Sequence, residues 1–401
     1  MLGFTASPFH DESENGVRIE VSRPFVWLTV IVNAIFWMVQ LGVDLRYTGL
    51  FYFLGVDWSR FWGASRAFLL SGPSAAYSLA AIGHFMSELT SYYGSGSSFG
   101  LMVQSSRVGP VPYPPIFLYF FVPFTLQPPM VGFIAWTVLN AAVAGWIFWK
   151  LTARLSPEVR WVVMEMLLLF YPFIIELYVG QLTVLLLAGL YLGYRDFQRG
   201  CEFRAGLWLG ALLFKPQFAV VPLLVLLFKR RWLPVAGAAS TGVAIVLSSL
   251  IVAGFNGVWD YVKMIVLHYP GYAGGLAIDP HSMITWRGLI FDIAPNIGSF
   301  EGVLLTGLLS IISLIPLIPI WAGEWDPTSP HFHTQMLATM MVAQLVAYHA
   351  HLHGALLLTV PAVLMVVEGE ASRVMQWLMG AALLGPHSRR DCQYSSSAIC
   401  V

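Results

Sequence analysis

Five polar islands interrupt a chain that is otherwise strongly apolar. They are Asp57; Glu176 with Gln181; Lys215, followed at once by Pro216; Asp279 with His281; and the alternating triplet His349, His351 and His353. Their chemistries are complementary. A carboxylate can take a proton from a hydroxyl. A lysine in a dry site can hold a phosphate or neutralise charge that develops on one. Histidines can orient either group or bind a metal. Each island also has an ordinary structural reading. Asp57 can cap the helix that it opens, Lys215 can snorkel to an interface, and Glu176 can hydrogen-bond backbone near a helix end. Against the second of these, a lysine inside an apolar run and beside a proline is a functional-site candidate by default. The histidines stand at i, i+2 and i+4, so on a helix only His349 and His353 share a face. A metal would need a third ligand, which the neighbouring sequence does not offer. The triplet therefore reads as substrate contact or interfacial packing, and no metal or other cofactor is expected.

These islands can act together only if long elements carry them to one face. The 401 residues are 57% hydrophobic and 10% charged, with a mean hydropathy of +0.71. A soluble chain would carry about 25% charged residues, so the composition defines an integral membrane protein, and its successive helix-length apolar runs make the expected fold all-α and polytopic. Formal net charge is zero, which argues against a nucleic-acid partner. Cys201, Cys392 and Cys400 are too few and too scattered for a disulfide framework or a metal site. Residues 1–23 are polar and lack a charged-then-apolar pattern with a small-residue cleavage site, so no removable signal peptide is expected.

Residues 24–45 are apolar and long enough to span about 30 Å of hydrocarbon. Arg18 and Arg23 precede them and place that end inside. Residues 47–113 then form a first outer loop. Within it, 57–70 reads as an amphipathic helix, with Phe61, Ala64, Ala67, Phe68 and Leu70 mainly on one side and Ser59, Arg60, Gly63 and Arg66 elsewhere, and 75–89 as a second, both lying in the interface plane. The Gly/Ser-rich 94–100 reads as a linker. The run 116–149 is cut by Pro123 and Pro128-Pro129. The basic loop of Lys150, Arg154 and Arg160 belongs inside, which makes 116–126 re-entrant. Residues 161–175 cross outward and 182–194 return. The run 205–228 starts beside Arg204 and ends at Lys229-Arg230-Arg231, so it reads as two half-helices with Lys215 at the deep turn, covered by protein or a wet cavity. Residues 233–253 lead out to a second outer loop, 255–284. A short helix near 286–293, a span 303–321 inward, 335–348 outward and 354–367 inward follow, and 373–384 forms one more helix. The transmembrane domain covers 24–385, and the polar tail 386–401 reads as disordered. On this topology all five islands face outside. No internal repeat supports the inverted-repeat build of a transporter.

The ordered segments Asp57-Trp58 with Phe61-Trp62-x-Ala64-Ser65-Arg66, Ala75-Ala76-Tyr77, Tyr113-Pro114-Pro115, Gly180-Gln181, Lys215-Pro216-Gln217 and Lys229-Arg230-Arg231-Trp232 resemble those of glycosyltransferase family 87. That family lies within the GT-C superfamily of polyprenyl-phosphate-sugar-dependent membrane glycosyltransferases. His281-Ser282-Met283 with Trp286 is a weaker likeness. The resemblance runs from about residue 50 to 300. It implies a GT-C-type helical bundle, two interface helices in the first outer loop, and a catalytic carboxylate there, which falls on Asp57. No Asp-x-Asp occurs in that loop, which argues against the superfamily's metal-dependent variant.

The expectation that follows is an inverting transfer of a sugar, mannose or another hexose or pentose, from a polyprenyl-phosphate donor to a glycolipid or glycan acceptor. Asp57 is the general base, and Lys215 holds the phosphate with Arg66 or Arg287. Glu176, Gln181, Tyr113, His281, His349, His351 and His353 complete the substrate site. The expected location is the inner (plasma) membrane, among its lipids, with the site on the extracytoplasmic face. A flippase or transporter of lipid-linked substrates would share the intramembrane charge and broken helices, and a non-catalytic scaffold would need none of these residues.

Overall fold

The computed structural model describes residues 54–93, 109, 111–268, 280 and 283–367. The expected 24–45 span, the 94–100 linker, Asp279, His281, the 373–384 helix and the 386–401 tail lie outside the described residues. Regular structure among the described residues is helical, apart from one isolated antiparallel bridge between Met283 and His351.

The chain begins with α1 (Val56–Ser71), a 3-10 turn (Pro73–Tyr77) and α2 (Leu79–Tyr93), followed by α3 (Pro115–Thr125) and α4 (Pro129–Leu151). Burial of α1 goes further than the single apolar side expected of it. Trp58, Ser59, Phe61 to Ser65, Ala67 and Phe68 are all buried, while Leu69 and Leu70 at its far end are exposed. The cause is aromatic packing. The Phe61 ring meets Tyr113 and Phe117 edge-on at 5.2 Å each and Phe121 at 5.6 Å, a geometry that aligns ring edge with ring face. Phe121 in turn meets Trp136 of α4 at 5.0 Å. This stack locks α1 onto α3 and α4. At 11 residues, α3 is too short to cross a bilayer alone, in keeping with its re-entrant reading.

Next come α5 (Pro157–Leu168) and α6 (Tyr171–Val179), which are bent by 44° against each other where a single outward span was expected. Pro172 explains the break. It stands in the first turn of α6, where its missing N–H costs nothing, and it cannot continue α5. After α7 (Thr183–Gln198), α8 (Glu202–Leu209) runs through a 3-10 turn (Gly210–Phe214) to Lys215, and α9 (Pro216–Phe228) returns. Arg231, just past α9, is ion-paired with Glu202 at the start of α8. The two arms thus form a hairpin with Lys215 at its tip, as the flanking basic clusters suggested. Each arm is about 20 Å long, short of the roughly 30 Å of a bilayer core.

The long α10 (Trp232–Lys263) is redirected at Gly254, whose φ of 65° and ψ of 179° are non-helical. The chain then continues through α11 (Trp286–Ile293), α12 (Ser299–Leu314), α13 (Leu317–Ile320), α14 (His331–Val346), a 3-10 turn (Leu352–Leu358) and α15 (Thr359–Val367). Among the described residues, Pro129–Leu151, Trp232–Leu267 and Ser299–Ile320 are each long and apolar enough to cross a membrane, and the α5–α6 pair is a fourth candidate if taken as one bent span.

Hydrogen bonds orient the bundle. At one end, Arg204 forks onto Asp196 with contacts of 2.6 and 2.7 Å, and Lys229 donates to the Trp321 carbonyl at 3.0 Å. At the other end, Lys215 meets Thr183 at 3.5 Å. The loops around Arg195, Arg199, Arg204, Lys229, Arg230 and Arg231 therefore share one end, and the tip of the hairpin points to the opposite one.

Candidate active site

The site is assembled where four chain breaks meet. Gly55, in the left-handed region at φ 68°, opens α1, and its N–H donates to the Tyr178 carbonyl at 2.6 Å. Asp57 is thus the second residue of the helix and not its cap, which leaves its carboxylate available to side chains; it pairs with Arg60 at 3.4 Å. Gly180 ends α6, also left-handed at φ 75°. Its Cα lies so near α1 that a Cβ there would stand 2.5 Å from Trp58 Cβ. The Trp136 indole N–H donates to the carbonyls of Gly180 and Gln181 at 3.0 and 3.2 Å. The Tyr113 hydroxyl donates to Gln181 Oε1 at 3.2 Å, and Tyr77 donates to the Tyr113 carbonyl at 2.9 Å. The Gly-Gln turn is therefore the joint between the first-loop helix and the bundle.

Lys215 occupies the break before Pro216, with φ −129° and ψ 79°. It is 7% exposed. Its ammonium contacts His353 Nε2 at 3.3 Å and the Thr183 hydroxyl at 3.5 Å, and the carboxylates of Glu176 and Asp57 are its electrostatic neighbours. Glu176 is 1% exposed, and its Oε1 accepts the Val184 N–H at 3.2 Å. Its ordinary reading, a bond to backbone at a helix end, thus holds together with proximity to Lys215.

His349 and His351 stand in non-helical backbone and His353 in the 3-10 turn Leu352–Leu358, so the shared α-helical face that the spacing would give His349 and His353 does not form. Nonlocal pairing explains why. The Ile284 N–H donates to the Ala350 carbonyl at 3.0 Å, Met283 bridges His351, and Gln217 holds the His349 carbonyl at 3.1 Å. The segment between α14 and the following 3-10 turn is drawn out against these partners. The His349 and His351 rings lie 4.5 Å apart and those of His351 and His353 5.8 Å apart. Arg287, buried at the start of α11, places its guanidinium 4.3 Å from the Tyr348 ring centre. His349 has Lys215, Arg287 and Arg60 as electrostatic neighbours.

Asp57, Glu176, Lys215, Arg287, His349, His351 and His353 thus gather at one end of the bundle, with Tyr113 and Gln181 bracing the turn beside them. Arg66 stands apart. It is nine residues, about 13 Å, along α1 from Asp57, and it donates to the Thr125 carbonyl at 3.1 Å and faces Glu88 at 3.5 Å. His281 is outside the described residues. Arg60 was missed, although i+3 spacing from Asp57 on a helix was a readable signal. Among the described residues no three His, Cys, Asp or Glu side chains come together as a metal-holding set.

An all-helical polytopic bundle with carboxylate, lysine and histidines gathered at one end is an architecture suited to membrane group transfer. The model of glycosyltransferase family 87 matches residues 112–383, about two thirds of the chain, and the protein belongs to that family. It is accordingly a membrane glycosyltransferase. Comparison with curated proteins and with solved structures gives no match. The matched range includes Tyr113, Glu176, Gln181, Lys215, His281, Arg287 and the three histidines, and Asp57 precedes it.

Proposed function

We propose that this glycosyltransferase moves a sugar, mannose or another hexose or pentose, from a polyprenyl-phosphate donor to a glycolipid or glycan acceptor, with inversion at the anomeric carbon. The observation that carries this reading is the convergence of Asp57 and Lys215 at one end of the bundle, with three histidines and Arg287 beside them. The acceptor oxygen attacks the anomeric carbon while Asp57 takes the hydroxyl proton. The bond from that carbon to the phosphate oxygen breaks, and its electron pair leaves with the polyprenyl monophosphate. Lys215 and Arg287 face the charge gathered on that leaving group, where a low-dielectric setting strengthens their effect. Glu176 and Thr183 hold the ammonium in place, and the Tyr113–Gln181 brace keeps the Gly-Gln turn, and so Asp57, in register.

The basic clusters at the opposite end support a cytoplasmic location for that end, which puts the site on the extracytoplasmic face of the plasma membrane, at a level that a lipid phosphate can reach. The test uses purified protein in lipid nanodiscs with radiolabelled polyprenyl-phosphate sugars and a membrane glycolipid extract as acceptor, wild type against Asp57→Asn. Transfer by wild type and its loss in the variant is the expected outcome. Undiminished transfer by Asp57→Asn would remove the general-base role, and wild type inert with every polyprenyl donor would remove the donor class.

A further inference from the structure

We propose that Arg60 serves two anions in turn: the Asp57 carboxylate, and the phosphate of the polyprenyl donor. The inference rests on the polyprenyl-phosphate reading and assigns Arg60 a place in it. Arg60 stands one helical turn beyond Asp57 on the same face of α1, and its Nη1 lies 3.4 Å from Asp57 Oδ1. The pair is neither sealed nor open: the side chains are 31% and 19% exposed, respectively. A guanidinium carries five N–H donors in a fixed fork, and this contact uses one of them. Its Nε is buried and has no hydrogen-bond partner among the described residues. Arg60 also has His349 as an electrostatic neighbour, one that Lys215 and Arg287 share. A planar fork with spare donors, set between a carboxylate and a cationic cluster, suits bidentate recognition of a phosphate.

The two engagements compete: the 3.4 Å contact to Asp57 is long for a charge-assisted hydrogen bond, and a phosphate that takes the fork bidentately draws the guanidinium away from it. A carboxylate in an ion pair is a poorer proton acceptor than one released from it, so capture of Arg60 by the phosphate frees Asp57 when the donor is in place. Arg60 therefore joins Lys215 and Arg287 in the part that the sequence reading also offered Arg66, and Arg66 remains a structural tie to α2 and α3. The coupling runs through a single side chain and requires no change of fold.

The coupling makes a counter-intuitive prediction: removing the catalytic carboxylate tightens the donor site, and does so only while Arg60 is present. The probe is farnesyl monophosphate, with farnesol as its uncharged control, titrated calorimetrically into the full chain in nanodiscs. Asp57→Asn is expected to bind farnesyl monophosphate about two- to fivefold more tightly than wild type, the range a partly exposed ion pair carries. Arg60→Gln weakens binding about tenfold or more, and Arg60→Lys, which keeps the charge, recovers part of the loss. The double variant Asp57→Asn/Arg60→Gln binds no more tightly than Arg60→Gln alone. Simple relief of repulsion between Asp57 and the phosphate predicts instead that the Asp57→Asn gain survives in the Arg60→Gln background, and that result overturns the proposal. Equal affinity of wild type for farnesyl monophosphate and farnesol overturns it together with the donor reading, whereas preserved phosphate selectivity with additive effects overturns the Arg60 assignment alone.

Discussion

Gly180→Ala tests whether the joint between the first-loop helix and the bundle governs both stability and turnover. Two costs are separable there. The residue sits at φ 75°, so an L side chain pays about 1–2 kcal/mol for the left-handed conformation. The added methyl would also lie 2.5 Å from Trp58 Cβ and 3.3 Å from the Phe133 ring, and overfilling a packed site costs about 1–3 kcal/mol more. Together they destabilise the protein by about 2–5 kcal/mol. Relief requires Trp58 to retreat by about 1 Å to reach ordinary carbon–carbon contact. Asp57 is its neighbour in the same helix turn, and a 1 Å misplacement of a catalytic group can cost about 100-fold in rate. Gly200→Ala is the control. Gly200 is also left-handed, at φ 70°, but nothing lies within 4 Å of a Cβ there, so it carries only the first cost. The assay pairs the unfolding midpoint in nanodiscs with turnover of a polyprenyl-phosphate sugar. Gly200→Ala should lose about 1–2 kcal/mol and keep its rate, while Gly180→Ala loses more and slows about 100-fold. Equal behaviour of the two variants in both measurements would refute the reasoning.

Lys215→Met leaves the buried Glu176 carboxylate without its nearby cation and should lower stability by roughly 3–5 kcal/mol, with Glu176→Gln in the same chain restoring most of it; an unfolding midpoint that the second change does not raise counts against the coupling. Arg230 takes φ 53° in the tight turn between α9 and α10, so Arg230→Gly should raise stability by about 1 kcal/mol, and a fall in the same midpoint would show that its side chain matters more than its backbone.

Much of the architecture was readable because its causes are local. The apolar run inside α4 and the long one in α10 announce themselves by length, and Lys215-Pro216 marks a helix break because proline removes an N–H and restricts the residue before it. Basic residues at both ends of 205–228 showed that the chain returns to its starting level, and the Arg231–Glu202 pair realises that return. The Gly180-Gln181 turn was visible as a motif, but its purpose was not. Only the folded chain shows Trp58 filling the space that a side chain would need. The shape of the histidine segment was not legible in its spacing, because it is set from outside, by Met283, Ile284 and Gln217. Arg66 drew attention through its neighbours in a motif, whereas Arg60, one turn from Asp57, was overlooked because it lay outside the quoted residues. The bend between α5 and α6 was hidden in a run whose hydropathy continues across Pro172.

The hairpin that carries Lys215 has a mechanical consequence. Its arms rise together from the basic end and are tied there by Arg231 and Glu202, so they act as a sounding line dropped from one surface of the membrane. The depth of the ammonium is measured from that surface and not from the one nearer the tip. Bilayers differ in thickness by several ångströms, and proteins accommodate the mismatch at modest cost. In a thicker bilayer the ammonium keeps its distance from the anchored side and sinks relative to the opposite headgroups. On the proposed donor reading, the lipid in which the protein is embedded thereby becomes a tuning element, setting the level of the lysine against that of the donor phosphate.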